Sequence, residues 1–310
     1  MAQLKIEGET FVTALVPFDP VDRRPGTLTS GVKFVGLPDT LEKSLIAEED
    51  RLWDVKVADA QARGQNLTRD FQYLLRPDHA LSLSYVVGRD IVVPVAQGTY
   101  SRIKLATSEV EKDPPRKDIP NVLALCEIVT GKNGYMFVER ADEVAYHGGK
   151  RQLHALVAGN FPRNIIQPVK PEDITVERWL EAQQETEHKI MPREITFPRM
   201  LLGIILDKTL GYKPDIAFAA VTNMIDKQEL SKRFAVDVWE QKGIREFPAT
   251  ERNLINVILE YSAATRHVPP GFAAAIIELA RRYRLDALDR LNVEGRAHGA
   301  PQIEYNIIGR

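Results

Sequence analysis

The chain has 310 residues, 44% of them hydrophobic and 27% charged, which is enough for a sizeable buried core in two domains, or in one domain with a large extension. Its 41 basic and 43 acidic side chains give a formal net charge of -2, so no global positive field favours nucleic acid as a partner. The N-terminal stretch lacks the basic end and apolar run of a secretory signal, and no eighteen apolar residues run together, so we expect neither export nor a membrane partner.

The first third of the chain contains four segments with strand character and one with apolar residues at helical spacing. The strand-like segments are residues 11–18, 32–38, 81–87 and 90–107, and the helical segment is residues 40–64. The stretch EKDPPRKDIP follows, and its prolines and mixed charges interrupt both kinds of regular structure. We therefore predict an N-terminal α+β domain of residues 1–112, whose role the sequence leaves open, a linker of residues 113–120, and a second domain of residues 121–310.

The second domain begins with two apolar segments, residues 121–130 and 134–141, joined by GKNG. Asn133 and Gly134 suit a tight turn with positive backbone φ, so these segments predict a β-hairpin. The first segment contains Cys126, which is the single cysteine and which we interpret as a small core residue. One cysteine excludes an internal disulfide and a cysteine-based zinc site, and it fits a reducing, cytoplasmic setting.

The remaining pattern predicts a strand, a helix, three further strands and two final helices. Strand character recurs in residues 153–161, 199–208, 215–223 and 234–247, and an acidic helix is expected between the first two of these. Residues 250–266 and 268–285 read as amphipathic helices, with Pro270 near the first turn of the second. The order predicts an α+β fold in which a mixed β-sheet is flanked by helices.

The stretch KPEDITVERWLEAQQETEHKI, residues 170–190, predicts an acidic helix whose N-terminus Asp173 or Thr175 can cap. With 3.6 residues per turn, Glu177, Glu181 and Glu185 lie one above another, and His188 extends the row. A divalent cation would relieve the repulsion between these carboxylates, because Mg²⁺ prefers carboxylate oxygens. A solvated helix face with ordinary pairing, such as Glu185 with Lys189 four residues later, explains the same pattern.

This segment and its surroundings resemble the Nudix hydrolase superfamily, whose signature is GX5EX7REUXEEXGU, where U is aliphatic. Glu172, Glu181 and Glu185 match three of the signature glutamates with the intervening spacing preserved. The order of elements from about residue 121 to residue 247 is also similar to that of the family. The resemblance implies a Nudix-like mixed sheet flanked by helices, preceded here by the smaller α+β domain, and cleavage of a nucleoside diphosphate linked to another group with Mg²⁺ or Mn²⁺ as cofactor.

The resemblance assigns expected roles to six residues. Glu181 and Glu185 become the expected metal ligands, and Glu172 an orienting or assisting carboxylate. Glu240 is a candidate base or extra ligand. The expected contacts to the phosphate oxygens of a small nucleotide-like ligand come from Arg140 and Lys150. The sequence leaves homo-oligomerisation open.

The signature is degenerate at several positions. Ile166 replaces the first glycine, Leu180 the arginine, Gln184 a glutamate, and Glu187 and His188 the final glycine and aliphatic residue. Leu180 cannot orient the glutamates by a charge-assisted hydrogen bond, and Gln184 removes a negative charge, so metal affinity should fall. Two functions therefore remain: a divalent-metal-dependent hydrolase that cleaves a phosphoanhydride, or a catalytically inactive Nudix-like module for ligand sensing or protein interaction.

Overall fold

A computed structural model gives the fold of the protein. The structure describes residues 2–6, 10–15, 32–36, 43–62, 71–75, 86–87, 90–99, 121–140, 153–160, 190, 192–207, 213–233, 241–250, 257, 270–283 and 303–307. Helices and strands alternate irregularly along the chain, and the fold class is α+β, as the sequence predicts. In the described residues, no helix combines the length and the apolar character that crossing a bilayer requires.

The described chain forms fifteen strands, three α-helices and one short 3-10 helix. In chain order they are β1 (Ala2–Ile6), β2 (Thr10–Leu15), β3 (Val32–Gly36), α1 (Lys43–Ala62), β4 (Phe71–Leu75), β5 (Val86–Val87), β6 (Asp90–Thr99), β7 (Asn121–Val122), β8 (Ala124–Thr130), β9 (Gly134–Arg140), β10 (Leu153–Ala155), β11 (Val157–Asn160), the 3-10 helix (Pro192–Glu194), β12 (Phe197–Asp207), β13 (Lys213–Val221), α2 (Lys227–Arg233), β14 (Gln241–Pro248), α3 (Pro270–Tyr283) and β15 (Ile303–Ile307). The predicted acidic helix lies outside the described residues.

The larger sheet contains ten of the described strands. Its main path runs β10-β9-β8-β13-β12-β2-β1-β15, with β14 paired to β9 and β11 paired to β8. The pair of β8 and β13 is parallel and the other pairs are antiparallel, so the sheet is mixed, as predicted. Strands β1 and β2 come from the predicted N-terminal domain, yet β2 pairs with β12 of the second half. The predicted linker, residues 113–120, lies outside the described residues, and the predicted domain boundary stays a prediction.

The hairpin of β8 and β9 opens soon after its turn. The two strands pair directly at Val129–Met136 and Thr130–Tyr135. Beyond these pairs, β10 runs antiparallel to β9 and β11 runs antiparallel to β8. The chain from residue 153 to residue 160 therefore crosses the opening between the two arms and hydrogen-bonds to each in turn.

The predicted hairpin is confirmed, but the predicted backbone conformation of Gly134 is wrong. Gly131 N donates to Gly134 O at 2.7 Å, which leaves Lys132 and Asn133 in the turn and makes Gly134 the first residue of β9. Of the described glycines, those with positive φ are Gly203 and Gly243. Gly134 is needed for a different reason, because a Cβ at this position would lie 1.9 Å from Phe247 O of β14.

A smaller sheet is built from the strands of the first half. Strand β6 pairs with β3 in parallel and with β4 and β5 antiparallel, and β4 also pairs with β7. Because β7 leads through Leu123 into β8, the chain passes directly from the smaller sheet into the larger one. Val93 and Val95 of β6 are buried in the same apolar cluster as residues of β8 and β13, so the two sheets share part of their core.

Two apolar clusters cover the opposite faces of the larger sheet. The helix-side cluster packs α3 on alternate residues of β8 and β9, including Cys126, Ile128, Tyr135 and Phe137. The other residues of these strands point to the opposite-side cluster, which contains Leu125, Val129, Met136, Val138, Phe218, Ile190 and Leu230. The predicted core role of Cys126 is confirmed, since it is buried, and Trp53 of α1 is buried as well. Pro270 is the first residue of α3, where its missing N–H costs no helical hydrogen bond.

Candidate functional site

Five of the six residues predicted for the site lie outside the described residues. They are Lys150, Glu172, Glu181, Glu185 and Glu240. Arg140 is described in its backbone, as the last residue of β9. The roles of all six, and the metal expected between Glu181 and Glu185, therefore stay predictions.

The described strands nevertheless place Arg140 in the sheet, together with residues that closely follow Lys150 and Glu240 in the chain. Arg140 stands opposite Gln241, the residue that follows Glu240 in the chain. Its neighbour Glu139 stands opposite Leu153, which comes three residues after Lys150. The end of β9 thus lies between the beginning of β10 and the beginning of β14.

The acidic segment, which we define as residues 161–189, is flanked by described residues on both sides. On its N-terminal side, Asn160 stands opposite Ala124, the first residue of β8. On its C-terminal side, Ile190 is buried in the opposite-side cluster. Shortly afterwards, Thr196 N donates to Val221 O at 2.8 Å, and Val221 stands opposite Thr130, the last residue of β8. The flanks of the acidic segment therefore lie at the two ends of β8.

A carboxylate lies in the sheet between these two flanks. Glu127 of β8 has no exposed surface, and strand alternation directs it to the same face as Leu125 and Val129. Ile190 packs in the cluster on this face. Burying an acidic side chain is costly unless it interacts with other groups, and Glu127 has such an interaction within the fold.

An ion pair fixes the chain just after the acidic segment. Arg233 Nη1 donates to both carboxylate oxygens of Glu194, each at 2.8 Å. The side chains are 10% exposed for Glu194 and 30% exposed for Arg233, so water screens the pair only in part. Glu229 adds a longer contact, 3.7 Å, to Arg233 Nη2. The pair joins the 3-10 helix to the end of α2.

Two titratable groups, the buried Cys126 and the partly buried Asp215, lie near each other on β8 and β13. Cys126 stands opposite Ala217, two residues from Asp215. Burial raises the pKa of the Cys126 thiol well above its ordinary value, and the negative charges of Asp215 and Glu127 add to the effect. Burial also raises the pKa of Asp215, and Lys213, whose Nζ lies 3.6 Å from Asp215 Oδ1, opposes that change. These causes describe a thiol held in its neutral form, which suits a core residue and not a nucleophile.

We expect the Cys126 thiol to react slowly in the folded protein. The thiolate is the reactive form, and the raised pKa and the burial of Cys126 both suppress it. Ellman's reagent at neutral pH should therefore label the native protein much more slowly than the protein unfolded in urea. Equal labelling rates in the two states would contradict the buried position of Cys126.

Asp215 should make the stability of the protein depend on pH. A pKa raised above the usual value of 3.8 means that the folded state holds the proton more tightly than the unfolded chain. The stability that this group contributes is present below about pH 4 and is lost as the pH rises through the folded-state pKa. Relative to the native protein, Asp215→Asn should therefore gain stability between about pH 4 and about pH 7. Urea unfolding at both pH values measures the difference, and a difference that does not change with pH would contradict the raised pKa.

The described residues do not hold a metal by themselves. Among them, no three histidine, cysteine, aspartate or glutamate side chains converge. A metal site would have to draw donors from outside the described residues, and the acidic segment is the source that the sequence predicts, since its carboxylates have the oxygen chemistry that Mg²⁺ and Mn²⁺ take.

Sequence reasoning missed Glu127, Glu194 and Arg233. The one signal in the sequence is that Glu127 is the single charged residue of the apolar run LALCEIVT. That signal does not by itself show that the side chain is buried. Glu194 and Arg233 are 39 positions apart, and nothing in either local sequence indicates that they meet.

Comparison with known proteins does not establish a family. No protein-family model matches the chain, and no curated protein matches it in sequence. Among solved structures, DR0079 from Deinococcus radiodurans is similar over 69% of this chain and 98% of its own, with 11% identity and a TM-score of 0.37. A hydrolase of the NUDIX family from Clostridium perfringens is similar over 51% of this chain and 95% of its own, with 9% identity and a TM-score of 0.26. TM-scores this low do not demonstrate a shared fold, and the resemblance to Nudix hydrolases rests on the sequence.

Proposed function

We propose that the protein is a divalent-metal-dependent hydrolase that cleaves the phosphoanhydride of a nucleoside-diphosphate-like substrate. Glu181 and Glu185 of the acidic segment are the proposed metal ligands. Glu172 assists them, and Glu240 serves as base or as a further ligand. Arg140 and Lys150 contact the phosphate oxygens in this proposal.

The observation that carries the proposal is the position of the two flanks of the acidic segment. Asn160 lies beside Ala124, the first residue of β8. Thr196 N is hydrogen-bonded to Val221 O, and Val221 stands opposite Thr130, the last residue of β8. Strand β8 rises about 20 Å over its length, and a helix over residues 175–189 would rise about 22 Å. A helix of that length fits along β8, and the burial of Ile190 favours the face that carries Glu127.

The amphipathic pattern of the segment fits this course. Val176, Trp179 and Leu180 form the apolar stripe of the predicted helix, and the opposite-side cluster offers an apolar surface for it. The row of Glu177, Glu181 and Glu185 would then follow one line along the helix. Such a row of carboxylates is an arrangement that a hard cation with oxygen ligands can use.

The second support is the meeting of three strand ends. Arg140 at the end of β9 lies close to Leu153, which follows Lys150 by three residues, and to Gln241, which follows Glu240. Cationic side chains at such a point suit the charge of a diphosphate. The proposal places the phosphate-binding residues here.

In the proposed reaction, a carboxylate accepts a proton from water, the water oxygen forms a bond to one phosphorus, and the bridging P–O bond breaks. A bound Mg²⁺ or Mn²⁺ supplies charge stabilisation on the phosphate oxygens. The protein residues orient the substrate and hold the proton.

The proposal is tested by a titration with Mg²⁺ and Mn²⁺ over a panel of nucleoside diphosphate sugars, dinucleotides and nucleoside triphosphates. A coupled phosphatase releases phosphate from the products for detection. Metal-dependent turnover of a diphosphate-linked compound supports the hydrolase. Tight binding of a panel member without turnover would instead favour the inactive sensing module. That module is the alternative function because Leu180 and Gln184 replace the arginine and a glutamate of the signature.

A further inference from the structure

We infer that the ion pair of Glu194 and Arg233 is a positioning contact between two parts of the proposed site. Glu194 lies just after the acidic segment, which carries Glu181 and Glu185, and Arg233 lies just before residues 234–240, which carry Glu240. The pair therefore fixes the chain just after the acidic segment relative to the chain just before residues 234–240. The inference rests on the proposed function for its catalytic meaning, but the contact itself is tested independently of activity.

The geometry of the pair distinguishes it from an ordinary surface ion pair. One guanidinium nitrogen reaches both carboxylate oxygens at 2.8 Å, and the Glu194 side chain is only 10% exposed. Charge-assisted hydrogen bonds of this length are the strong ones, and partial burial reduces their screening. The pair of Arg245 and Glu139 is the contrast, because Arg245 Nε lies 3.9 Å from Glu139 Oε2 and the Arg245 side chain is 47% exposed.

The chain on the Glu194 side is fixed to the sheet. Ile190 is buried in the opposite-side cluster and Ile195 packs against it. Thr196 binds Val221 O through its backbone and accepts a hydrogen bond from Asn223 N at 3.0 Å through its side chain. Glu194 is thus held between two anchored neighbours, so its carboxylate has a defined position.

The chain on the Arg233 side is fixed as well. A helix as short as α2 is not stable alone and depends on its contacts. Leu230 is buried in the same opposite-side cluster, and Asp226 Oδ1 caps the helix by accepting from Glu229 N at 2.9 Å. Arg233 is the last described residue of this anchored helix, so the ion pair holds the point from which residues 234–240 begin.

The test combines amide hydrogen exchange and Mn²⁺ binding in the full chain. In Arg233→Ala and in Glu194→Gln, exchange should become roughly 10-fold faster in peptides from both the acidic segment and residues 234–240. Isothermal titration with Mn²⁺ alone should show a Kd raised by about 10-fold, as for other residues that orient metal ligands. Arg233→Lys keeps the charge and should fall between the native protein and Arg233→Ala in both measurements.

Arg245→Ala is the matched control, because it also removes an arginine from an ion pair and should leave exchange in the two segments unchanged. Faster exchange confined to residues 192–196 and 227–233 in the Glu194 and Arg233 variants would overturn the inference and leave the pair a local contact. If the native protein binds no Mn²⁺, the proposed function fails, and the exchange measurement alone decides whether the pair couples the two segments.

Discussion

Glu185→Gln should lower kcat for hydrolysis of the diphosphate-linked substrate by about 10³-fold, which corresponds to about 4 kcal/mol of transition-state stabilisation. The change keeps the size of the side chain and removes its negative charge. Because Glu185 is one of the two proposed metal ligands, the cation would bind less tightly and contribute less stabilisation to the phosphate oxygens. Steady-state kinetics at saturating Mn²⁺ and substrate measure the loss.

Glu187→Gln is the control for this result. It makes the same chemical change two residues away, at a position that the signature glutamates do not occupy. We expect it to retain activity within a small factor. If the two variants lose activity equally, or if Glu185→Gln remains fully active, Glu185 is not the metal ligand that the proposal needs.

Gly134→Ala should destabilise the folded protein by about 3 kcal/mol or more, because the new methyl group has no space. The Cβ would lie 1.9 Å from Phe247 O and 2.6 Å from the carbonyl carbon of the same residue. Both atoms belong to the backbone of β14, so no side-chain rotation relieves the contact and the pairing of β9 with β14 must shift. Urea unfolding followed by circular dichroism measures the free energy of unfolding.

Asn133→Ala is the matched control for the glycine variant. Asn133 is the neighbouring residue of the same turn and is exposed, so its replacement should change the free energy of unfolding by no more than about 0.5 kcal/mol. A stability of Gly134→Ala close to that of the native protein would show that β9 and β14 do not approach as closely as the structure describes.

The sequence predicted best those strands whose own residues carry the signal. Strands β8 and β9 lie within their predicted segments, β12 and β13 overlap theirs but begin two residues earlier, and α3 begins at the proline that the pattern places in its first turn. A buried strand needs apolar residues in its own segment, so the local hydrophobic pattern is enough to predict it. The hairpin was predicted for the same reason, although the role of Gly134 depends on β14, more than a hundred residues later, and local reasoning missed it.

The sequence could not predict how distant strands assemble. Strands β1 and β15 come from opposite ends of the chain and pair with each other, and β2 joins β12. Strand pairing is decided by burial and by cross-strand partners, neither of which a local pattern contains. The pairing of β10 with β9 and of β11 with β8 could not be predicted for the same reason, because it depends on both strands of the opened hairpin.

For the candidate site, the sequence supplied the residues and the described structure supplies their surroundings. The spacing of Glu172, Glu181 and Glu185 is a local property, so it could be read directly. The burial of Glu127 and the meeting of Glu194 with Arg233 depend on tertiary packing, and they became visible only in the fold.

The most direct measurement is the crystal structure of the full chain soaked in Mn²⁺, with anomalous diffraction data to locate the cation. The proposal predicts an anomalous peak within about 2.5 Å of carboxylate oxygens of both Glu181 and Glu185. A soaked crystal in which these two carboxylates point away from each other into solvent, with no cation between them, would contradict the proposed hydrolase.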